Sequence, residues 1–366
     1  MYLRMLELLK IYTFFGDGGV YAGRISRAAE YEMDFSEFYF EDFISIEDFG
    51  AGILNINNTP LEWTLQKITN YDAIKCDSTD AFFMRYQMMS RGMPRIPFLI
   101  VESDLFERAK RLCRLIENET GGNPYRTILE MPENFYLIIS ESYRSFYENE
   151  GINPNNLYYF PMCLESVGFS FPEIKKYVES PLPAERITPE VKAMKDKILA
   201  VGTNERDYAT LVEAVRGLPL EVHIICNLKL YRAIPSHNVH WHDSMPGEQY
   251  VEALRGAKYV VIPLKKADRN YGQMSTVLPM SLGKAVIATE VEALRDHIKD
   301  GETGLFVKSG DAGSVRRAIQ LIEKDETLRK KTGQGARRRE KELSDIAART
   351  IDELLNRVRA MKGKNI

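Results

Sequence analysis

Five short strand-like segments punctuate the second half of this chain: Ile198–Val201, Glu221–Ile225, Val239–Trp241, Tyr259–Ile262 and Ala285–Ala288. Each is too short for a core helix, and the stretches between them have helical spacing. Strands that alternate with helices in this way form a parallel sheet covered on both faces. The first half shows the same alternation, with strands at Leu8–Phe15, Phe38–Phe40, Ala73–Cys76, Phe98–Val101 and Tyr136–Ile139. There the glycine-rich turn Gly16–Gly19 leads into a helical stretch, Val20–Met33, which is the opening of a Rossmann-like unit. Asp104–Glu119 is also charged and apolar at helical spacing. Residues 166–196 carry Pro172, Pro181, Pro183 and Pro189 and read as a linker with short helices. A highly charged helical tail begins near Thr327. The expectation is an α/β protein of two Rossmann-like αβα domains, 1–165 and 166–345, followed by a last helix over 346–366.

Composition narrows the function. The 366 residues are 44% hydrophobic and 28% charged, which excludes a collagenous or wholly disordered chain. No run approaches the roughly 18 apolar residues of a membrane span, and the N-terminus lacks a basic, then apolar, then small-residue pattern. A cytoplasmic protein with no transmembrane segment is expected. Cys76, Cys113, Cys163 and Cys226 lie far apart, so neither a zinc site nor a disulfide framework is indicated. Residues 1–165 carry 15 Lys+Arg against 25 Asp+Glu, while residues 166–366 carry 34 against 27. Nucleic acid is therefore not expected as a partner. The basic half suits a smaller polyanion such as a nucleotide diphosphate, or simply reflects exposed charged helices. The acidic front argues against docking on anionic lipid and leaves other peripheral membrane contact open.

Four stretches of the second half occur in a recognisable order. They are Ile198–Leu211, with Gly202, Arg206, Asp207 and Tyr208; Val239–Pro246, followed by a helix and a strand; Gly272–Thr289; and Asp300–Val307 with its DGETG turn. Together they resemble the donor-binding lobe of GT-B glycosyltransferases, especially family 4. Asn156–Phe169 resembles that family's crossing between lobes, and the first 130 residues match in strand order alone. The resemblance implies two lobes facing across a cleft, closing to exclude water, with the last helix returning to brace the front lobe. It also implies transfer of a sugar from a nucleotide diphosphate sugar to a sugar, glycan or small-molecule acceptor, with retention. Such enzymes need no metal, and the sequence has no D-x-D and no clustered His/Cys/Glu set, so neither a metal nor a cofactor beyond the donor is expected.

The segment Gly272, Gln273, Met274, Ser275 and Thr276 is the one the resemblance assigns to the diphosphate and ribose. Gly272 permits close backbone approach, and a helix starting near Ser275 would turn free N–H groups toward a phosphate. Ser275 and Thr276 also read as N-caps of a helix with no ligand. Arg206, at a strand-to-helix turn, is a bidentate clamp for the diphosphate or a surface partner of Glu205 or Asp207. Lys265 and Lys266 follow a strand whose end faces the cleft. His242 is placed near the base, and Gly18 and Gly19 near the sugar or acceptor.

The sequence departs from the family at three points. The family's paired glutamates fall at Asn270 (or Asp268) and at Leu278, and leucine accepts no hydrogen bond from a ribose hydroxyl; Glu290 is the substitute candidate. All five histidines lie in the second half, so the front-lobe histidine is missing. Asp77, and after it Asp104, are the candidates for that base, against the plainer role of a helix cap or turn residue. A nicotinamide oxidoreductase is disfavoured because Tyr21 fills the third small position after Gly16 and Gly18. An epimerase of the same fold and a non-catalytic binding subunit are the remaining alternatives.

Overall fold

The computed structural model describes residues 53–55, 73–102, 105–170, 172–265 and 271–362. These fall into two compact units. The first takes the described residues up to Leu137, Phe146–Tyr158 and the chain from Glu353; the second takes Ile138–Ser145 and Tyr159–Asp352.

The first sheet has five strands in sequential order: β1 (Ile53–Asn55), β2 (Ala73–Asp77), β3 (Phe98–Glu102), β4 (Asn134–Ile138) and β5 (Leu157–Tyr159). β1 pairs with β2, and β2 with β3, in parallel, with Cys76 opposite Ile100. Around it lie α1 (Ser78–Ser90), α2 (Glu107–Thr120), α3 (Tyr125–Leu129) and α4 (Arg144–Glu150). Phe106 is fully buried and meets Tyr136 and Tyr147 edge-on, both with ring centroids 5.6 Å away. Phe82 is likewise buried in this core. Arg85 is buried too: its Nε donates to Asn134 Oδ1 at 2.8 Å and its guanidinium lies 3.9 Å from the Phe98 ring centroid.

In the second unit α5 (Leu164–Ser170), α6 (Pro172–Glu179) and α7 (Pro189–Ala193) precede a six-stranded sheet. Its strands are β6 (Ile198–Val201), β7 (Val222–Ile225), β8 (Val239–His242), β9 (Tyr259–Ile262), β10 (Val286–Thr289) and β11 (Leu305–Val307). Across the sheet they run β11-β10-β9-β6-β7-β8, all paired in parallel. Every residue of β6, β7, β9 and β10 is buried, which is why β6, β9 and β10 read as unbroken apolar runs. Leu199, Val201, Val260, Ile262, Val286 and Ala288 pack on one face with Val251 and Leu254 of α9 (Gly247–Gly256). Ile198, Ala200, Val261 and Ile287 face the other way, against α8 (Tyr208–Val215) and α11 (Ala312–Lys324). Between α9 and α11 comes α10 (Gln273–Ser281), and the chain ends in α12 (Glu326–Lys362), 37 residues long.

Several expectations need correction or fall outside the description. The strands at 8–15 and 38–40, the helix at 20–33, and Gly18, Gly19 and Asp104 lie outside the described residues, as do Asn270 and Asp268. α2 starts at Glu107, not near 104, because Leu105 and Phe106 adopt left-handed backbone with φ of 57° and 58°. α10 starts at Gln273 and its N-cap is Gly272, so Ser275 and Thr276 are first-turn residues and not caps.

Candidate functional site

In the order β11-β10-β9-β6-β7-β8 the chain runs outward in both directions from β6 and β9, so the switch point lies between them. Ligands of open α/β sheets bind outside the carboxyl ends of the strands at such a point. β6 ends at Val201 and β9 at Ile262, and a backbone bridge joins Arg206 to Leu264 just beyond those ends. Arg206 therefore sits where the topology opens a ligand crevice.

Its side chain is 4% exposed. Nε donates to Val201 O at 2.9 Å, Nη1 to Asn204 O at 2.5 Å, and Nη2 to Ser275 Oγ at 2.8 Å. A guanidinium has five N–H donors, and the three acceptors here are all uncharged. No carboxylate pairs with it among the described residues; Asp207 instead caps α8, accepting from Thr210 N at 3.1 Å. The surface ion pair offered as an alternative is thereby corrected. Burial pulls the Arg206 pKa down, and the group still stays cationic near neutrality. Room for the guanidinium comes from Gly202, whose φ is 106° and whose missing Cβ would occupy the same space. Tyr231 fixes the turn, its hydroxyl accepting from Arg206 N at 3.0 Å.

The second half of the site is the start of α10. Gly272 has φ 86°, and a Cβ there would lie 2.8 Å from Leu264 Cδ1. That close approach seats the helix N-terminus against the loop after β9. The first backbone N–H groups of an α-helix have no partner within the helix. Ser275 Oγ, in the first turn, meets both Arg206 and the Tyr250 hydroxyl. Burial pushes the Tyr250 hydroxyl up to about 12, while Arg206 and Ser275 pull the other way. Thr276 turns inward and donates from Oγ1 to Gly272 O at 2.9 Å. Gln273 is buried, its Nε2 donating to Ala293 O at 3.2 Å, and its Oε1 has no partner among the described residues. Met274 is 38% exposed.

The remaining sequence candidates are scattered. Asp77 closes β2, at the carboxyl end of its strand and just before α1. Lys265 is exposed just beyond β9, its N–H donating to Glu205 O at 2.9 Å. Glu290 follows β10, exposed and paired with Arg295 at 3.0 Å. Leu278, at the expected ribose position, is 1% exposed and packs in the core. Both ring nitrogens of His242 are engaged elsewhere: Nε2 with His223 Nδ1 at 2.9 Å and Nδ1 with Glu190 Oε1 at 2.6 Å. Sequence reasoning missed Tyr231 and Tyr250, whose only signal was aromatic character near predicted strands. It also missed a histidine–glutamate cluster: the expectation of no such set is corrected by Glu221, His223 and His240, which β7 and β8 bring together.

Residues 228–339, spanning β8 to the first part of α12 and including the start of α10, match the family model described as glycosyl transferases group 1. The two sheets are the two Rossmann-like domains of the GT-B fold. The chain has the GT-B fold. Its fold is similar to sucrose-phosphate synthase from Thermosynechococcus elongatus, with a TM-score of 0.59 and 16% identity over 82% of this chain and 77% of that one. It is also similar to the HepE protein of Anabaena, solved in complex with UDP, with a TM-score of 0.60 and 11% identity over 81% and 82% of the two chains. TarM of S. aureus aligns with a TM-score of 0.55 and 13% identity, covering 81% of this chain and 57% of that one. No curated protein sequence matches the chain.

Proposed function

We propose that this chain is a glycosyltransferase that takes its sugar from a nucleotide diphosphate sugar whose diphosphate lies between Arg206 and the start of α10. The observation that carries the reading is the charge of Arg206, which has no carboxylate partner among the described residues, is buried at the switch point and is hydrogen-bonded to the first turn of α10. A buried cation with neutral partners is costly unless an anion completes it. A diphosphate supplies that anion, accepts the remaining guanidinium N–H groups, and meets the free N–H groups and positive dipole end of the helix. As the glycosidic bond breaks, negative charge grows on the departing diphosphate, and the same groups stabilise it more strongly than the bound donor. Gly272 lets the backbone come close, with Gln273, Met274, Ser275 and Thr276 forming the wall of the site. Lys265, beyond β9, adds positive potential, and Glu290, beyond β10, is available to the ribose in place of Leu278.

Transfer with retention to a sugar, glycan or small-molecule acceptor completes the proposal, with Asp77 at the carboxyl end of β2 as the acceptor-side group. The test is calorimetric titration with UDP, GDP, ADP and TDP, with NAD as the contrasting ligand and no added metal. Because HepE was solved with UDP and with UDP-glucose, UDP is the first to try. Micromolar binding of one diphosphate, weakened at least tenfold by Arg206→Ala, is the expected result. Silence from all four, or binding indifferent to Arg206, would remove the donor assignment.

A further inference from the structure

Four of the five histidines fall between residues 223 and 242, and strand pairing gathers three of them. β7 and β8 pair with His223 opposite His240 and Ile225 opposite His242, and β8 is the edge strand of its sheet. Alternation along β8 puts His240 and His242 on the same side of the sheet. The rings of His240 and His242 stack against His223 with centroids 4.8 and 5.1 Å away. Glu221, the residue before β7, completes the group: one ligand atom each from Glu221, His223 and His240 lies within 4.8 Å of the others.

The proton positions on this stack follow from its last member. The Glu190 carboxylate only accepts, so His242 Nδ1, 2.6 Å away, carries a hydrogen. In the neutral His242 ring Nε2 is then an acceptor, and His223 Nδ1, 2.9 Å from it, must donate. That leaves the lone pair of His223 on Nε2. A ligating histidine whose other nitrogen is held by a second histidine and a carboxylate is the usual second layer of a metal site. His223 is 6% exposed, so its ring is held in place by the sheet on one side and by His240 and His242 on the other. Lys197 pairs with the Glu221 carboxylate, which has a second oxygen to offer.

We propose that Glu221, His223 and His240 form a binding site for one divalent transition-metal ion of the zinc class. Two imidazoles and a carboxylate suit Zn²⁺, Ni²⁺ or Cu²⁺ rather than Mg²⁺ or Ca²⁺, and water would fill the fourth position. Glu221 and His223 lie at the amino end of β7, whereas Arg206 lies beyond the carboxyl end of β6, so the ion would serve as a clamp across the sheet edge and not as a reactant. This reading is independent of the donor assignment.

The untagged full chain, stripped with EDTA and desalted, is titrated with Zn²⁺ and separately with Co²⁺, with bound metal counted by elemental analysis. One ion per chain is expected, together with a visible Co²⁺ band and a higher melting temperature. His240→Ala, at a strand edge, should abolish the stoichiometric binding, as should Glu221→Ala. His242→Gln should weaken it about tenfold through the lost orientation of His223. His237→Ala, outside the cluster, should leave it intact. His223→Ala removes a buried ring and is read only if circular dichroism shows a folded chain. Failure of the stripped protein to take up metal, or uptake unchanged by both His240→Ala and Glu221→Ala, would overturn the proposal.

Discussion

Arg206 depends on a residue with no side chain. Gly202, at φ 106°, leaves the space in which the guanidinium crosses from β6 toward Ser275. Gly202→Ala should cost about 1–3 kcal/mol from the left-handed backbone and displace the guanidinium, so stability and diphosphate affinity fall together. Arg206→Lys should keep the charge, lose the fork, and bind the diphosphate more weakly than the wild type while exceeding Arg206→Ala. Calorimetry on the three variants checks the order, and equal affinity for Lys and Ala at 206 would contradict it. A second residue-scale effect concerns His297, which is fully buried with Nε2 donating to Met162 O at 2.8 Å. Burial lowers its folded-state pKa below 6.5, outweighing the opposing hydrogen bond to Met162 and the charge of Asp296, while Arg339 adds to the lowering. The unfolded chain therefore takes up a proton first as pH falls, so stability is lost below about pH 6.5, by at most about 1.4 kcal/mol per pH unit. His297→Gln retains a donor for Met162 and should flatten that part of the curve in denaturant melts at pH 7.5, 6.5 and 5.5.

At the scale of elements, caps and phosphate contacts can be separated. Asp207 caps α8 through Thr210 and does not pair with Arg206. Asp207→Ala should cost about 1 kcal/mol in a denaturant melt and leave nucleotide affinity unchanged. Gly272→Ala, pressing on Leu264 at the start of α10, should cost stability and affinity together. A drop in affinity for Asp207→Ala of the size seen for Gly272→Ala would mean that Asp207 belongs to the site. The same contrast explains what could be read in advance. β6, β9 and β10 are buried on both faces, so their apolar runs announced themselves. β1, with Ile53–Asn55, and β5, with Leu157–Tyr159, are three residues each, too short for a pattern of period two to stand out. The delayed start of α2 came from the left-handed pair Leu105–Phe106, which no side-chain pattern marks. Arg206 was legible as a residue after a strand, but its partner Ser275 is 69 positions away. The histidine stack needed the register of β7 against β8 before its members became neighbours.

At the scale of the whole molecule, α12 serves both units. Its residues up to Asp352 belong to the second and those from Glu353 to the first. Within the first unit Arg357 donates from Nη2 to Asn156 Oδ1 at 2.9 Å and lies 4.8 Å from the Phe135 ring centroid. Leu354 and Val358, each 1% exposed, are buried on the same stretch. Leu354→Ala should cost about 2–5 kcal/mol, as large-to-small changes at buried sites do. That loss falls on the unit that lacks Arg206, so the two units should respond differently to ligand. A diphosphate at 100 times its Kd stabilises the species that binds it by about 2.7 kcal/mol, and that gain belongs to the second unit. Calorimetric melting of the wild type and Leu354→Ala, each with and without UDP, therefore has a defined expected pattern. The variant lowers the transition of the first unit, UDP raises that of the second, and UDP affinity by titration is the same in both proteins. Loss of UDP affinity in Leu354→Ala would show instead that the donor site depends on the first unit, and that the last ten residues of α12 act on the chemistry as well as on the fold.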